Sequence, residues 1–160
     1  MQTSDAGDTT GAREALLMSE AYVDPTREQF AAFRAIEREG PIHMLNLVRF
    51  RERAVYPDGR EASGAEAYRA YAAASAPVFA AVGGRQYWIG RFELMVIGPA
   101  DERWDAVFIA EYPSGAAFAA MLRDPVYREA VVHRQAAVET SRLIRLAPRA
   151  PGETFGSISS

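Results

Sequence analysis

His133 and Arg134 are the adjacent pair whose side chains most directly suggest chemistry in this chain. A histidine can act as a general base near neutral pH, and an arginine can hold a carboxylate or an enolate oxygen through paired N–H donors. Tyr127 lies on the helical stripe of Arg134, where it could contact the same substrate. The structural alternative is an arginine clamped by a carboxylate, beside a hydrogen-bonded core histidine.

Polar residues on the predicted strands form a second group of candidates. Asn46 lies inside an apolar stretch, where its amide could orient a carbonyl or an oxyanion, or could satisfy backbone groups. Glu93, Asp105 and Glu111 share strand parity. A carboxylate in a half-apolar cavity has a raised pKa and could shuttle a proton. Arginines are plentiful here, so ion pairs at a rim, with Arg49, Arg91 or Arg145, are the stronger expectation.

Two tryptophans complete the set of candidate residues. Trp88 and Trp104 could form flat walls of a small-molecule cavity, although such residues more often pack in a core or an interface. The predicted catalytic group is therefore His133, Arg134 and Glu111. The predicted substrate-binding group is Asn46, Trp88, Glu93, Trp104 and Tyr127.

Composition excludes several kinds of chemistry. The chain has no lysine and no cysteine, which excludes a Schiff-base lysine, a P-loop lysine, disulfides, thiolate nucleophiles and cysteine-ligated metal sites. Two histidines 90 positions apart carry no ligand spacing, so no metal and no cofactor is predicted. A net charge of −3 argues against nucleic acid, and no apolar run or leader pattern suggests a membrane or secretion. A cytoplasmic location is the expectation.

Hydrophobic periodicity and capping signals predict one α+β domain over residues 24–148, between tails at 1–23, partly disordered, and 149–160. Asp24-Pro25 begins an accessory helix over 25–39, and Gly40-Pro41 ends it. Ser63 and Glu66 form a capping box, and Asp124-Pro125 predicts that the last helix restarts there. Stripped of its ends, the order is strand, helix, strand, strand, helix, strand, with strands at 42–50, 85–97, 105–112 and 142–146.

Right-handed crossovers place both helices of such a ferredoxin-like βαββαβ unit on one face of an antiparallel sheet. Met95, Ile97, Val107 and Ile109 have the parity of the other face, where they would form an apolar patch that monomers usually avoid. We therefore expect a second copy to cover this open face and to enclose a cavity. Asn46 is placed on the open face as well, because an amide under two helices would need buried partners.

The chain resembles the family known as domain of unknown function 1330, within the dimeric α/β-barrel superfamily. The segments that carry the resemblance are MLNLVRF (44–50), AEAYRAY (65–71), Gly83-Gly84, EYPS (111–114), DPVY (124–127) and HRQAAVETSRL (133–143). The resemblance implies a homodimer with two sheets face to face, and it implies no general reaction. The accessory helix and the excursion at 51–62 depart from the minimal pattern, and either could cover a cavity or extend the dimer contact.

Three functional hypotheses follow. The first is a cofactor-free enzyme, of isomerase or monooxygenase type, that acts on an acidic or aromatic metabolite, as superfamily relatives do. The second is a non-catalytic dimer that binds a ligand or a protein. The third is haem binding or degradation, suggested by the residue types of Asn46, His133 and a tryptophan, Trp88 or Trp104.

Overall fold

A computed structural model describes residues 21–157 of the chain. The greater part of the predicted N-terminal tail and the last three residues of the predicted C-terminal tail lie outside this range. The domain boundaries remain predictions. In chain order the elements are α1 (Arg27–Ala35), β1 (Ile42–Phe50), α2 (Gly64–Ala81), β2 (Arg85–Gly90), β3 (Ala106–Tyr112), α3 (Gly115–Arg123), α4 (Pro125–Ala137), β4 (Val138–Leu146) and a 3-10 turn (Phe155–Ser157).

The four strands form one antiparallel sheet in the order β2-β3-β1-β4. The predicted α+β, ferredoxin-like βαββαβ order is confirmed, including the additional N-terminal helix α1. β1 lies in the middle and pairs with β3 on one side and with β4 on the other. Because each pair is in register over most of its length, this sheet fixes which side chains share a face.

Side-chain caps determine where the helices begin. Ser63 and Glu66 form the predicted capping box, and Asp124 caps the restarted helix α4 at Val126 N. The predicted start of α1 at residue 25 was wrong. Thr26 caps this helix in a capping box with Gln29, so the first helical residue is Arg27 and the helix ends at Ala35.

The prediction of one long strand over residues 85–97 was wrong. β2 ends at Gly90, whose partner Val107 is the second residue of β3, so the chain beyond it has almost no strand left to pair with. The irregularity lies at Tyr87, where the register shifts between Gln86 and Trp88. A Cβ at Gly90 would approach the Trp88 indole to 2.4 Å, so glycine makes room for that ring.

The most buried side of β1 faces the helices. Ile42, Met44 and Val48 are at most 3% exposed, and they pack with residues of α2, α3 and α4. Asn46 has the same parity, so the prediction that its side chain lies on the open face was wrong. Burial of three large apolar groups fixes the face, and the amide follows them.

The N-terminal segment before α1 lies along the outer edge of β4. The carbonyl oxygen of Tyr22 accepts hydrogen bonds from both the backbone N and the Oγ of Ser141, each at 2.7 Å. The guanidinium of Arg134 donates to the carbonyl oxygen of Val23. This segment therefore satisfies one backbone N–H, that of Ser141, on the outer edge of β4.

Candidate functional site

A cavity of about 890 Å³ lies between the sheet and the helices. Its walls come from the segment before α1, from α1 itself, from the helix-facing side of all four strands and from one side of α2 and α4. Small residues of α2 open the space, because the helix presents Ala72, Ser75 and Ala76 where larger side chains would fill it. The lining is mainly aromatic and aliphatic, as is usual for sites that bind small organic molecules.

Buried tyrosines supply much of the polar chemistry of the cavity. The hydroxyl groups of Tyr71 and Tyr127 form a hydrogen bond of 3.1 Å. Burial is the main cause that raises the pKa of Tyr68, Tyr112 and Tyr127 above the ordinary tyrosine value. These side chains therefore stay neutral near physiological pH, and they act as hydrogen-bond donors or acceptors and not as bases.

Asn46 is half-buried and lines the same cavity. Its Nδ2 donates to the carbonyl oxygen of Met44 at 3.0 Å, which compensates part of the cost of burying the amide. An asparagine has a second N–H and a carbonyl oxygen, so Asn46 retains hydrogen-bonding capacity toward a ligand. The two expected roles, orienting an oxygen and satisfying the backbone, are thus compatible here.

Arg134 also lines the cavity, but its guanidinium is occupied by the protein itself. It donates to the carbonyl oxygen of Val23 and, at 3.1 Å, to Ser141 Oγ, and it lies 3.8 Å from the carboxylate of Asp24. The arrangement matches the expected arginine clamp. It fastens the segment before α1 to α4 and β4, and it gives one end of the cavity a positive charge.

His133 lies outside the cavity. Its Nδ1 is 2.7 Å from the hydroxyl of Tyr56, a buried residue of the excursion at 51–62. The His133 and Arg134 side chains therefore point to different neighbourhoods, as their different helical stripes require. Tyr56 was not among the predicted residues, because 77 positions separate it from His133 and no sequence pattern connects them.

Glu111 lies on the open face of the sheet, away from the cavity. Its carboxylate accepts hydrogen bonds from Arg85 Nε at 2.6 Å and from His43 Nε2 at 2.7 Å, while the ring of Tyr87 packs 4.2 Å from that of His43. The hydrogen bonds from Arg85 and then from His43 lower the pKa of Glu111. The carboxylate therefore stays ionised and does not have the raised pKa considered for a cavity carboxylate. It forms an ion pair, which was the stronger expectation, but with Arg85 and not with Arg49, Arg91 or Arg145.

The other predicted residues are also separate from the cavity. Trp88 is paired with Ile109 on the open face and is 49% exposed. Trp104 is buried beneath the Arg142 guanidinium, 5.6 Å from its ring. Glu93 is solvent-exposed, with Arg91 at 4.0 Å. Of the eight predicted site residues, the cavity thus brings together Asn46, Tyr127 and Arg134, and the haem trio of asparagine, tryptophan and histidine does not converge.

Sequence reasoning missed two cavity residues whose polar groups could bind a ligand. Tyr71 was not among the candidate residues, although its spacing from Tyr68 places both on one stripe of α2. Arg145 was considered only as an ion-pair partner, yet it faces the helices with Leu143 and lines the cavity. The signal for Arg145 was strand parity in β4, which required the register with Met44 to interpret.

Within residues 21–157, no cluster of three histidine, aspartate or glutamate side chains could hold a metal ion. No helix in that range combines the length and the apolar character needed to cross a bilayer.

Comparison with known proteins places these features in context. Residues 61–145 match the model of the family described as Domain of unknown function (DUF1330). No curated protein matches the chain significantly. The RPA0582 protein of unknown function from Rhodopseudomonas palustris is 68% identical over 82% of this chain and 100% of its own, with a TM-score of 0.80. The methylated RPA0582 protein is 69% identical over 83% of this chain and 98% of its own, with a TM-score of 0.81.

A more distant solved structure is also similar to part of the chain. A dimeric ferredoxin-like protein of unknown function from Thermobifida fusca is 18% identical over 69% of this chain and 93% of its own, with a TM-score of 0.44. The family match covers more than half of the chain, and the RPA0582 similarity extends over nearly all of that protein. The chain belongs to the DUF1330 family.

Proposed function

We propose that this protein binds a flat, largely apolar small molecule, of aromatic type, in the cavity between the sheet and the helices. The observation that carries the proposal is the cavity itself, about 890 Å³ with mainly aromatic and aliphatic walls. Ligand sites in proteins typically measure about 300–1,000 Å³ and combine apolar walls with a small number of oriented polar side chains.

The polar groups suit an oxygen-bearing ligand. Asn46 and the Tyr71–Tyr127 hydroxyl pair offer neutral hydrogen-bond donors and acceptors in a partly buried environment. A carbonyl or phenol oxygen of the ligand would be oriented by these groups while its ring packs against the aromatic walls. Such contacts give selectivity because a ligand without the oxygen leaves the polar groups unpaired.

Binding without proton abstraction is the role that the geometry supports best. The described lining contains no histidine, and its buried tyrosines are kept neutral. Its one carboxylate, Asp24, accepts a hydrogen bond from Gln135 and lies beside Arg134. A cofactor-free isomerase or oxygenase reaction would therefore have to depend on Asn46 and the tyrosine hydroxyls stabilising an enolate oxygen, with no free base from the cavity.

Fluorescence of the neutral probe N-phenyl-1-naphthylamine tests the proposal. Ala72 is exposed on α2 and lines the cavity, so Ala72→Trp would place an indole in it with little cost to folding. Wild-type protein should bind one probe per chain, and Ala72→Trp should abolish that binding. Ala73→Trp, at the next exposed position of the helix and off the cavity, is the matched control and should bind normally. Equal binding by both variants would disprove a site in this cavity.

We also infer that the open face pairs with a second copy of the chain. Trp88, Ile144 and Leu146 are on this face and are 49%, 43% and 39% exposed. The segment after β2 exposes Leu94, Val96 and Ile97 still more. Exposed large apolar groups at this density are typical of a protein interface. In such a dimer the ligand cavities would remain on the outer, helix-bearing sides, one in each protomer.

A further inference from the structure

The charge of the cavity is opposite to that of the whole protein. The described lining contains three arginines and one aspartate, Asp24, whereas the chain has a net charge of −3. Charged side chains in a partly desolvated space act more strongly than in water. The cavity therefore favours an anionic ligand over a cationic one, and the question is which arginine has donors to offer.

Two of the three arginines are already committed. Arg134 clamps the segment before α1, as described above. Arg142 donates to Thr140 Oγ1 at 3.2 Å and to the Ser141 carbonyl oxygen at 2.9 Å, and its guanidinium stacks on aromatic rings in an exposed position. Neither guanidinium has a buried donor that lacks a partner among the described residues.

Arg145 differs in having a buried donor without a partner. Its Nη1 donates to the carbonyl oxygen of Phe33 at 2.8 Å, and its guanidinium lies 4.5 Å from the centre of the Phe33 ring. Its Nη2 is buried, and none of the described residues accepts a hydrogen bond from it. No carboxylate of residues 21–157 forms an ion pair with this side chain. A buried unpaired donor on a cation is costly unless something else satisfies it.

The surroundings hold this guanidinium in place. A Cβ at Gly115 would lie 3.2 Å from both Nη1 and Nη2, so the glycine at the start of α3 leaves room for the group. Desolvation and, next, the charge of Arg38 lower the pKa of Arg145, as expected for a cation that lacks a counter-ion. Phe33 and Phe30 of α1 line the adjoining wall, so an aromatic ring could pack there while its acidic group meets Arg145.

We propose that Arg145 is the anion-binding residue of the cavity, and that the natural ligand is an aromatic acid whose carboxylate, or a similar planar oxyanion, pairs with its guanidinium. This inference rests on the proposed function, since it assigns the ligand class of the same cavity. A planar carboxylate fits a guanidinium through two parallel N–H donors. The accessory helix α1 then has a role in recognition, because it supplies the aromatic wall and the carbonyl that orient the arginine.

Two probes with the same chromophore test the assignment. The neutral probe is N-phenyl-1-naphthylamine, and the anionic probe is 8-anilino-1-naphthalenesulfonate, which adds one sulfonate. Arg145→Gln should weaken the anionic probe about tenfold or more, as expected for loss of a charged hydrogen bond, and should leave the neutral probe within about twofold. Arg145→Lys should give an intermediate loss. Arg128→Gln, at an exposed arginine of α4 outside the cavity lining, is the matched control and should behave as wild type toward both probes.

The outcomes separate the inference from the function on which it rests. Wild-type protein that binds neither probe would overturn both proposals. Neutral binding that persists while Arg145→Gln leaves the anionic probe unaffected, or weakens both probes equally, would overturn only the role of Arg145. Circular dichroism monitors folding of each variant. Should Arg145→Gln fail to fold, the Arg145→Lys result and the salt dependence in wild type decide, and salt-independent binding of the anionic probe would overturn the assignment.

Discussion

The two faces of the sheet have similar apolar residues but differ in how far these residues are buried. On the helix-bearing face, Ile42, Met44 and Val48 are buried against the chain's own helices, and the packing stops short of filling the space around Asn46. On the open face, Ile144 and Leu146 remain exposed within one protomer. Apolar content alone therefore does not show which face holds a ligand site. A face covered by helices can still contain a cavity, and an exposed apolar face can be a protein interface.

The two faces also differ in whether their charged groups have partners of opposite charge. On the open face, the Glu111 carboxylate is paired with the Arg85 guanidinium and accepts a hydrogen bond from His43, so its charge is balanced within the cluster. On the helix-bearing face, Arg145 lacks such a partner. An unbalanced charge in a cavity indicates recognition of a ligand, and a balanced cluster on a surface is compatible with packing against another protein.

Truncation of one aliphatic side chain on each face gives the largest expected contrast. Ile42→Ala should lower the free energy of unfolding by about 2–5 kcal/mol, because Ile42 is fully buried and a cavity would remain. Leu146→Ala, at a position 39% exposed, should cost less than about 1 kcal/mol in dilute protein. Urea denaturation measures both values. Equal costs at low concentration would contradict the distinction between the faces.

Assembly is the next test of the comparison. Trp88→Glu would place a carboxylate on the proposed contact between copies, and light scattering should show the mass falling from dimer to monomer, with at least about a tenfold loss of affinity. Val126→Glu is the matched control. Val126 is 52% exposed on α4, a helix that packs on the opposite face of the sheet. A wild-type monomer at micromolar concentration, or a dimer unaffected by Trp88→Glu, would contradict the pairing.

The smallest expected effect concerns the acid stability of the Glu111 cluster. Arg85 and His43 hold the pKa of Glu111 below its ordinary value of 4.5, so its contribution to stability is complete above that pH and is lost as the pH falls through the folded-state pKa. Glu111→Gln should therefore lower stability near neutral pH by about 1 kcal/mol or less, and the difference from wild type should shrink in acid. Glu93→Gln, at an exposed carboxylate, is the matched control and should leave the free energy of unfolding near neutral pH close to that of the wild type.

Local signals allowed the order of elements to be predicted from sequence. The Ser63–Glu66 capping box and the Asp124-Pro125 restart each involve residues within three positions of one another, and each is found where predicted. The end of β2 could not be predicted, because it depends on how much of β3 remains to pair with. Local propensity contains no information about the length of the neighbouring strand.

The candidate site was predictable only in part, for a similar reason. Asn46, Tyr127 and Arg134 were chosen by chemical type, and the fold brings these three to one cavity. Asn46 was assigned to the wrong face because the cost of one buried amide was weighed above the gain from three buried aliphatic side chains. The His133–Tyr56 contact and the Arg145–Phe33 contact join distant segments, 77 and 112 positions apart, which no spacing in the chain encodes.

The hydrogen bonds between Tyr22 and Ser141 have a practical consequence for handling the protein. A shortened version that starts after residue 24 would remove the backbone partner of Ser141 and one of the acceptors of Arg134 at once. The Ser141 N–H on the outer edge of β4 would then be free to pair with another extended chain, which favours aggregation. Expression variants intended for crystallisation or ligand screening should therefore retain Tyr22 and Val23.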